Sequence, residues 1–347
     1  MTDSTKNNST SYKAPRGVLP ILRENFIKPR QISWSYTFFL FSFGILIALI
    51  LIKLLKNSNF SSTSLVGYAL ISPIFCVFAY ILPAIIAGTK IKSDTWTDNT
   101  GIGSLIMAFV SGVPLALVFR TIHNLSAYFH LWSGRTTIFP ALFYYCDDTT
   151  MLSRITEVLS GCIIPAIGVA ILLYGIMWDR ISRRGFYYAL CIISVVYALA
   201  QLNPIDFFSY LFVGAWMCIL RDRIGNAWSI VLCLLSMKLT SILTLDIIRE
   251  IDIYSTQTLS DVDDSFIYST LPALFFGIIL LLLVRRYLNE FKDLYFTSSM
   301  ADNLDTKNQE LYSELPSMPL VCYLPALITG VIIFITIWTI LFKGGFL

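Results

Sequence analysis

The chain has 347 residues, of which 56% are hydrophobic and 14% charged, and its mean hydropathy is +0.70. Soluble domains carry about 25% charged residues, so this composition excludes an ordinary soluble domain. The net charge of +3 says little about partners, and we find no phosphate-binding loop and no nucleic-acid-binding pattern. The composition predicts an all-α fold, a polytopic bundle of transmembrane helices.

Nine apolar runs follow one another along the chain. Crossing a hydrocarbon core takes roughly 20 helical residues. We therefore predict nine spans, at about residues 35–52, 64–88, 102–118, 156–178, 186–202, 206–220, 226–245, 266–284 and 319–342.

The distribution of lysine and arginine predicts the orientation of these spans. With the N-terminus inside and the C-terminus outside, 17 of the 25 basic residues lie in cytoplasmic segments and seven lie outside. Cytoplasmic loops carry the positive excess in membrane proteins. The 246–265 loop has six acidic residues and only Arg249 as a base, and this model places it outside.

The chain divides into four zones. Residues 1–34 form a polar cytoplasmic tail, and we expect no cleavable signal peptide there. Residues 35–152 hold three spans and an aromatic outer segment from Arg120 to Met151, which is expected to lie at the membrane interface or to re-enter the bilayer. Residues 153–287 form a core, and residues 288–347 form a cytoplasmic linker and the final span.

Small residues mark the fourth span as a central helix. Gly161, Gly168 and Gly175 recur every seven residues, with Ala166 and Ala170 between them. Such a stripe lets neighbouring helices approach closely within lipid. The seven cysteines occur singly, without metal-ligand spacing, so we expect no disulfide framework and no thiol chemistry.

Three stretches of this core follow a recognisable order. Pro165 precedes Tyr174-Gly175 and a basic turn that ends in Arg184-Gly185. The next helix ends in Tyr197-Ala-Leu-Ala-Gln-Leu-Asn-Pro204, and Arg223-x-Gly-Asn-x-Trp228 opens a third helix. Over about 80 residues this layout resembles the CAAX-protease and bacteriocin-processing family of intramembrane metallopeptidases. The resemblance implies the helical fold of that family.

The functional residues of that family are absent at the matching positions. The paired glutamates map to Val169 and Ala170, and the following arginine to Tyr174. The family also has a histidine in its second motif helix, which maps to Gln201. Its third motif helix has a histidine and an asparagine, which map to Leu234 and Lys238. A metallopeptidase needs imidazole or carboxylate ligands and a carboxylate base. We therefore predict no catalytic residues, no metal and no cofactor.

Lys238 is the single basic residue that falls inside a span. An ionisable group at this depth is costly and faces a partner or a cavity. Its expected role is a structural polar link, through Asp206 or Asp179, or through Gln201 and Tyr174 in one polar pocket. Substrate or lipid binding and snorkelling to the interface are the alternatives.

The two histidines, His123 and His130, are seven residues apart and so share a helical face. We interpret them as interfacial residues. An unspecific metal site with Asp147 and Asp148 is the alternative.

The resemblance, together with the missing functional residues, implies a catalytically inactive membrane scaffold or regulator, and the charge pattern is typical of a bacterial cytoplasmic membrane protein. Its partner would be a membrane or cell-envelope protein. One alternative is an active peptidase with displaced ligands, for which Glu157 is the only acid near the fourth span's outer end. The other is a transporter of small solutes or lipids, against which the scarcity of charge within the spans argues.

Overall fold

The structure is a computed structural model that describes residues 34–57, 65–87, 102–133, 151–182, 185–243, 251, 262, 265–296 and 320–342. The tail before Trp34, Asp147 and Asp148, and most of the acidic 246–265 loop lie outside the described residues. Every regular element in the described ranges is helical, which confirms the all-α fold class.

The helical stretches fall at the positions of the predicted spans, and we number them in chain order. Two of them, α2 and α4, are built from shorter α-helical pieces joined by π-helical turns. The helices are α1 (Trp34–Asn57), α2 (Leu65–Cys76, a π turn at Val77–Ile81, and Leu82–Ile86), α3 (Ile102–Trp132), α4 (Met151–Val158, a π turn at Leu159–Ile163, Ile164–Ile171, a π turn at Leu172–Met177, and Trp178–Ile181), α5 (Phe186–Ala200), α6 (Phe207–Ile224), α7 (Trp228–Leu243), α8 (Ser265–Phe296) and α9 (Leu320–Phe342).

Five of these helices are long and apolar enough to cross a membrane: α1, α2, α3, α4 and α8. Shorter apolar stretches occupy α5, α7 and α9. The five long helices indicate an integral membrane protein. That all nine helices cross the bilayer stays a prediction.

Helix α3 is longer than the sequence pattern predicted. It continues to Trp132 instead of ending near residue 118, so the first part of the expected interfacial segment is helix. Arg120, His123 and Asn124 lie on this extension and are buried. The polar side chains lower the local hydropathy, but the helix continues because they pack against other parts of the protein.

Two π-helical turns lie just before prolines. Val77–Ile81 precedes Pro83, and Leu159–Ile163 precedes Pro165. Proline has no N–H to complete the helical hydrogen-bond ladder, and the wider turn accommodates this gap. A third π turn, Leu172–Met177, contains the Tyr174-Gly175 pair and has no proline.

Helices α3 and α4 lie at the centre of the bundle. Helix α3 packs against α6, α7 and α8, whereas α4 packs against α2, α5, α6 and α7. Helix α8 is the most exposed of the five long helices, and α9 packs mainly against α1. A Cβ atom built on Gly168 of α4 would lie 2.6 Å from the Sγ atom of Cys76, so α2 and α4 approach closely at this glycine.

Candidate functional site

The positions that match the paired glutamates of the metallopeptidases are filled by close packing. Val169 and Ala170 are buried in the main core, with exposed fractions of 3% and 0%. Both belong to the Ile164–Ile171 piece of α4. Neither side chain can bind a metal or accept a proton, so these positions do not fit the zinc that the resemblance implies.

Tyr174 is fully buried in the π turn of α4 and uses its hydroxyl within the protein. The hydroxyl donates to the carbonyl oxygen of Gly214 in α6 at 3.2 Å. The ring meets that of Tyr197 in α5 edge-on, with centroids 6.3 Å apart. Helix α4 therefore contacts both α5 and α6 at the position of the expected arginine.

The backbone of the same π turn is bound from α6. The Nε atom of Arg221 donates to the carbonyl oxygen of Tyr174 at 2.9 Å, and its Nη2 atom lies 3.4 Å from Oδ1 of Asp179. A π turn shifts the helical hydrogen-bond pattern by one residue. The guanidinium of Arg221 therefore satisfies a carbonyl group at the irregular turn.

The other three matching positions lie on α7 and at the end of α5. Gln201 caps α5, and its N–H donates to the carbonyls of Ala198 and Leu199. Leu234 is partly buried, and its carbonyl oxygen lies 3.5 Å from the Sγ atom of Cys162 in α4. Lys238, one turn further along α7, is also partly buried.

Lys238 interacts electrostatically with Cys162 of α4. The two acids considered for Lys238 have other contacts, because Asp179 faces Arg221 and Asp206 faces His123. A shared pocket of Lys238, Gln201 and Tyr174 stays a prediction.

A buried hydrogen bond joins His123 of α3 to Asp206, which precedes α6. The Nδ1 atom of His123 hydrogen-bonds the Oδ1 atom of Asp206. Each residue is only 8% exposed. His123 is therefore enclosed by the protein, and a carboxyl group 83 residues away in sequence compensates its burial. That His123 lies at the depth of the membrane interface stays a prediction.

The turn between α5 and α6 positions this carboxylate. Leu202 has a φ of 53°, a left-handed conformation that is rare for a bulky residue. Pro204 follows Asn203, whose Oδ1 atom accepts the N–H of Ile205 at 3.2 Å. The Nδ2 atom of Asn203 donates to Oδ2 of Asp206 at 2.6 Å, so both oxygens of the Asp206 carboxylate are engaged.

His123 and the adjacent Asn124 also hold the backbone of Ile251. The N–H of Ile251 donates to Oδ1 of Asn124 at 3.0 Å, and the carbonyl oxygen of Ile251 lies 3.4 Å from Nε2 of His123. The amide nitrogen of Asn124 reaches the hydroxyl of Thr270 in α8 at 3.4 Å. One polar cluster therefore joins α3, the α5–α6 turn, Ile251 and α8.

This polar cluster encloses two ionisable side chains, those of His123 and Asp206, within the protein. It holds an acid and a base in direct contact, and a non-glycine residue in left-handed backbone conformation lies four positions before the acid. Strained backbone of this kind costs about 1–3 kcal/mol and concentrates at functional sites. Among the described residues, no three His, Cys, Asp or Glu side chains are grouped closely enough to hold a metal ion.

The sequence contains one signal that points to this cluster. The predicted orientation places the residues after 118, the α5–α6 turn and the 246–265 loop on the same side of the membrane. The orientation therefore indicates that polar residues in those three places are candidate partners for one another. No spacing rule links His123 to Asp206, since their contact depends on how α3, α5 and α6 pack.

Comparisons with known proteins identify no relative: no family model, no curated protein and no solved structure matches the chain.

Proposed function

We propose that the chain is a catalytically inactive relative of the CAAX-protease and bacteriocin-processing family that acts as a scaffold or regulator. Its partner would be another membrane or cell-envelope protein. The main support is the packing at the matching positions. Val169 and Ala170 lie in the apolar core, and the hydroxyl of Tyr174 is bonded to Gly214.

The proposal includes a multi-pass topology in a bacterial cytoplasmic membrane, with nine spans and the N-terminus inside. The helix positions and the distribution of basic residues support this arrangement. Reporter fusions after Asn57, Asp98, Gly134, Thr256 and Leu347 test it. We expect Asp98 alone to report a cytoplasmic location, and a cytoplasmic Thr256 would contradict the model.

The partner is tested by reciprocal capture of the full chain from cross-linked membranes. A scaffold should recover the same protein in a fixed ratio, whichever of the two carries the affinity tag. A matched capture with an unrelated multi-pass protein of similar length controls for nonspecific association. Recovery of the chain alone, in both detergent and nanodiscs, would contradict a scaffold role.

The peptidase alternative is tested by metal analysis and by incubation with prenylated and leader-type peptides. We expect no stoichiometric zinc and no cleavage. One zinc per chain that is lost in His123→Ala but kept in His130→Ala would instead favour a displaced active site.

A transporter is the second candidate, and the buried ionisable residues favour it. Besides the partly buried Lys238, four ionisable residues are buried: Arg120 and His123 of α3, Asp206 just before α6, and Arg221 of α6. Such groups mark ion and proton pathways in membrane proteins. Solute-dependent proton flux into proteoliposomes, abolished by Asp206→Asn, would support this candidate over the scaffold.

A further inference from the structure

We propose that the π turn at Leu172–Met177 is a switchable joint in α4, and that Arg221 of α6 holds this turn in its wide form. Without the guanidinium of Arg221, the turn closes into regular α-helix and the last turn of α4 rotates against its neighbours. The joint is a property of the bundle itself, so it depends on neither a scaffold role nor a peptidase activity.

The π turn before Pro165 leaves one carbonyl oxygen outside the helical hydrogen-bond pattern. The N–H of Ile164 donates to Leu159, five residues back, and the next donor in this pattern would be Pro165, which has no N–H. The carbonyl oxygen of Ser160 therefore has no helical donor. The hydroxyl of Ser72 in α2 takes this place and donates to the Ser160 carbonyl at 2.5 Å.

The π turn of α2 follows the same rule. The N–H of Leu82 donates to Val77, and Pro83 comes next. The carbonyl oxygen of Phe78 is passed over, and it lies so close to Gly44 of α1 that a Cβ atom would not fit there. In both turns a proline removes the N–H that would close the helix, so these two turns are permanent features of the chain.

The π turn at Leu172–Met177 differs because no proline lies in the part of α4 that follows it. The N–H of Trp178 donates to the carbonyls of Leu173 and Gly175 and so passes over Tyr174. In a regular α-helix the same N–H would donate to Tyr174, four residues back. The residues of α4 therefore permit a closed turn, and the wide form depends on the group that holds the Tyr174 carbonyl.

Arg221 is that group. Its Nε atom donates to the Tyr174 carbonyl at 2.9 Å, and the residue is only 6% exposed. The hydroxyl of Tyr174 donates to the carbonyl of Gly214, which precedes Arg221 by about two helical turns on α6. Tyr174 is therefore bound to α6 through both its side chain and its backbone, and these two bonds hold the wide turn towards α6.

The other contacts of the guanidinium are weak. Its Nη2 atom lies 3.4 Å from Asp179, whose side chain is 52% exposed, and an exposed ion pair contributes little to stability. Its Nη1 atom is buried without a hydrogen-bond partner in the described structure. The bond to Tyr174 is thus the main polar anchor of Arg221, and few contacts decide between the wide and the closed turn. Single π turns of this kind are frequent at functional sites.

Closing the turn would move the last turn of α4. Returning one residue to the α-helical pattern rotates the residues after it by about 100° and advances them by about 1.5 Å. Trp178 is now 6% exposed, and its ring meets that of Phe186 in α5 edge-on, with centroids 6.1 Å apart. The rotation would separate these two rings and carry Trp178 towards the surface.

Fluorine NMR of the full chain, labelled with 5-fluorotryptophan and held in nanodiscs, tests the joint. The chain has seven tryptophans, and Trp178→Phe identifies the signal of Trp178. We expect this signal to be protected from a soluble paramagnetic agent in the wild type. In Arg221→Met, which keeps the length of the side chain but removes the donor, the signal should shift and broaden when the agent is added.

Arg223→Met is the matched control, because it removes a positive charge two residues away whose Nε atom lies 3.5 Å from Asp222. This variant should keep the wild-type signal of Trp178. An unchanged Trp178 signal in folded Arg221→Met, or the same change in Arg223→Met, would overturn the joint.

A deletion keeps the proposal testable if Arg221→Met does not fold. Removing Ile176 takes the extra residue out of the π turn, so the turn becomes α-helical without rotating the last turn of α4. This deletion should therefore restore monodisperse protein in the Arg221→Met background. Removing Ile167 from the regular piece Ile164–Ile171 should not restore it. Failure of the Ile176 deletion, or equal rescue by the Ile167 deletion, would contradict the joint.

Discussion

Gly112 of α3 lies directly against the backbone of Cys233 in α7. A Cβ atom built on Gly112 would be 2.5 Å from the carbonyl oxygen of Cys233 and 2.7 Å from the amide nitrogen of Met237. Both obstacles are backbone atoms, so neither can rotate away. The contact between α3 and α7 therefore depends on the absence of a side chain at residue 112.

We expect Gly112→Ala to lower the thermal stability of the purified protein, because α3 and α7 would have to separate. Overpacking of this kind costs about 1–3 kcal/mol. Thermal unfolding in a mild detergent, followed by size-exclusion chromatography, measures the effect.

Gly175→Ala is the control for Gly112→Ala. Its Cβ atom would meet only the carbonyl oxygen of Ala170, at 3.2 Å and within the same helix. It should therefore be the milder change. Equal losses in the two variants would contradict the assigned helix contact.

The helices could be predicted from the sequence because apolar runs of this length have few alternative structures. The glycine repeat also predicted a close approach in α4, and the structure has one at Gly168. The equally close approach at Gly112 could not be predicted, because that glycine belongs to no repeat. Its importance depends on the backbone of Cys233, which is distant in sequence.

The polar cluster could not be predicted for a similar reason. His123 and Asn124 lower the hydropathy of α3, and that signal is typical of a helix leaving the membrane. Their partners are Asp206, Ile251 and Thr270, which are 83, 127 and 146 residues away. Local sequence patterns describe the cost of burying a polar group but do not identify the group that compensates it.

Tyr174→Phe should destabilise the protein by about 1 kcal/mol, because the hydrogen bond from the Tyr174 hydroxyl to the Gly214 carbonyl would be lost while the ring keeps its packing. Tyr187→Phe is a suitable control, since Tyr187 is 80% exposed at the start of α5. The melting temperature in detergent measures both. No difference between the two variants would show that the Tyr174 hydroxyl does not contribute to stability.

Lys238→Leu should be tolerated better than Lys238→Glu if Lys238 is a structural link. Lys238 is partly buried and interacts with Cys162 of α4. Leucine removes the cost of burying a charge, whereas glutamate keeps that cost and reverses the sign. The yield of monodisperse protein and its melting temperature compare the two. A more stable Lys238→Glu would indicate a cationic neighbour and would contradict the structural link.

Replacing the apolar residues at the expected glutamate positions tests whether a polar cavity exists there. Ala170 is fully buried in the core, so the carboxylate in Ala170→Glu would be buried in an apolar environment. We expect this variant to lose more stability than Ala170→Met, which adds a similar volume without a charge. Overpacking costs both variants about 1–3 kcal/mol, and the buried polar group adds to that cost only in the glutamate variant.

Thermal unfolding in detergent at neutral and mildly acidic pH measures the difference in stability between the two variants. This difference should shrink on acidification as the carboxyl group becomes neutral. If Ala170→Glu were instead as stable as Ala170→Met at neutral pH, residue 170 would face a polar cavity, and the peptidase alternative would regain support over the scaffold.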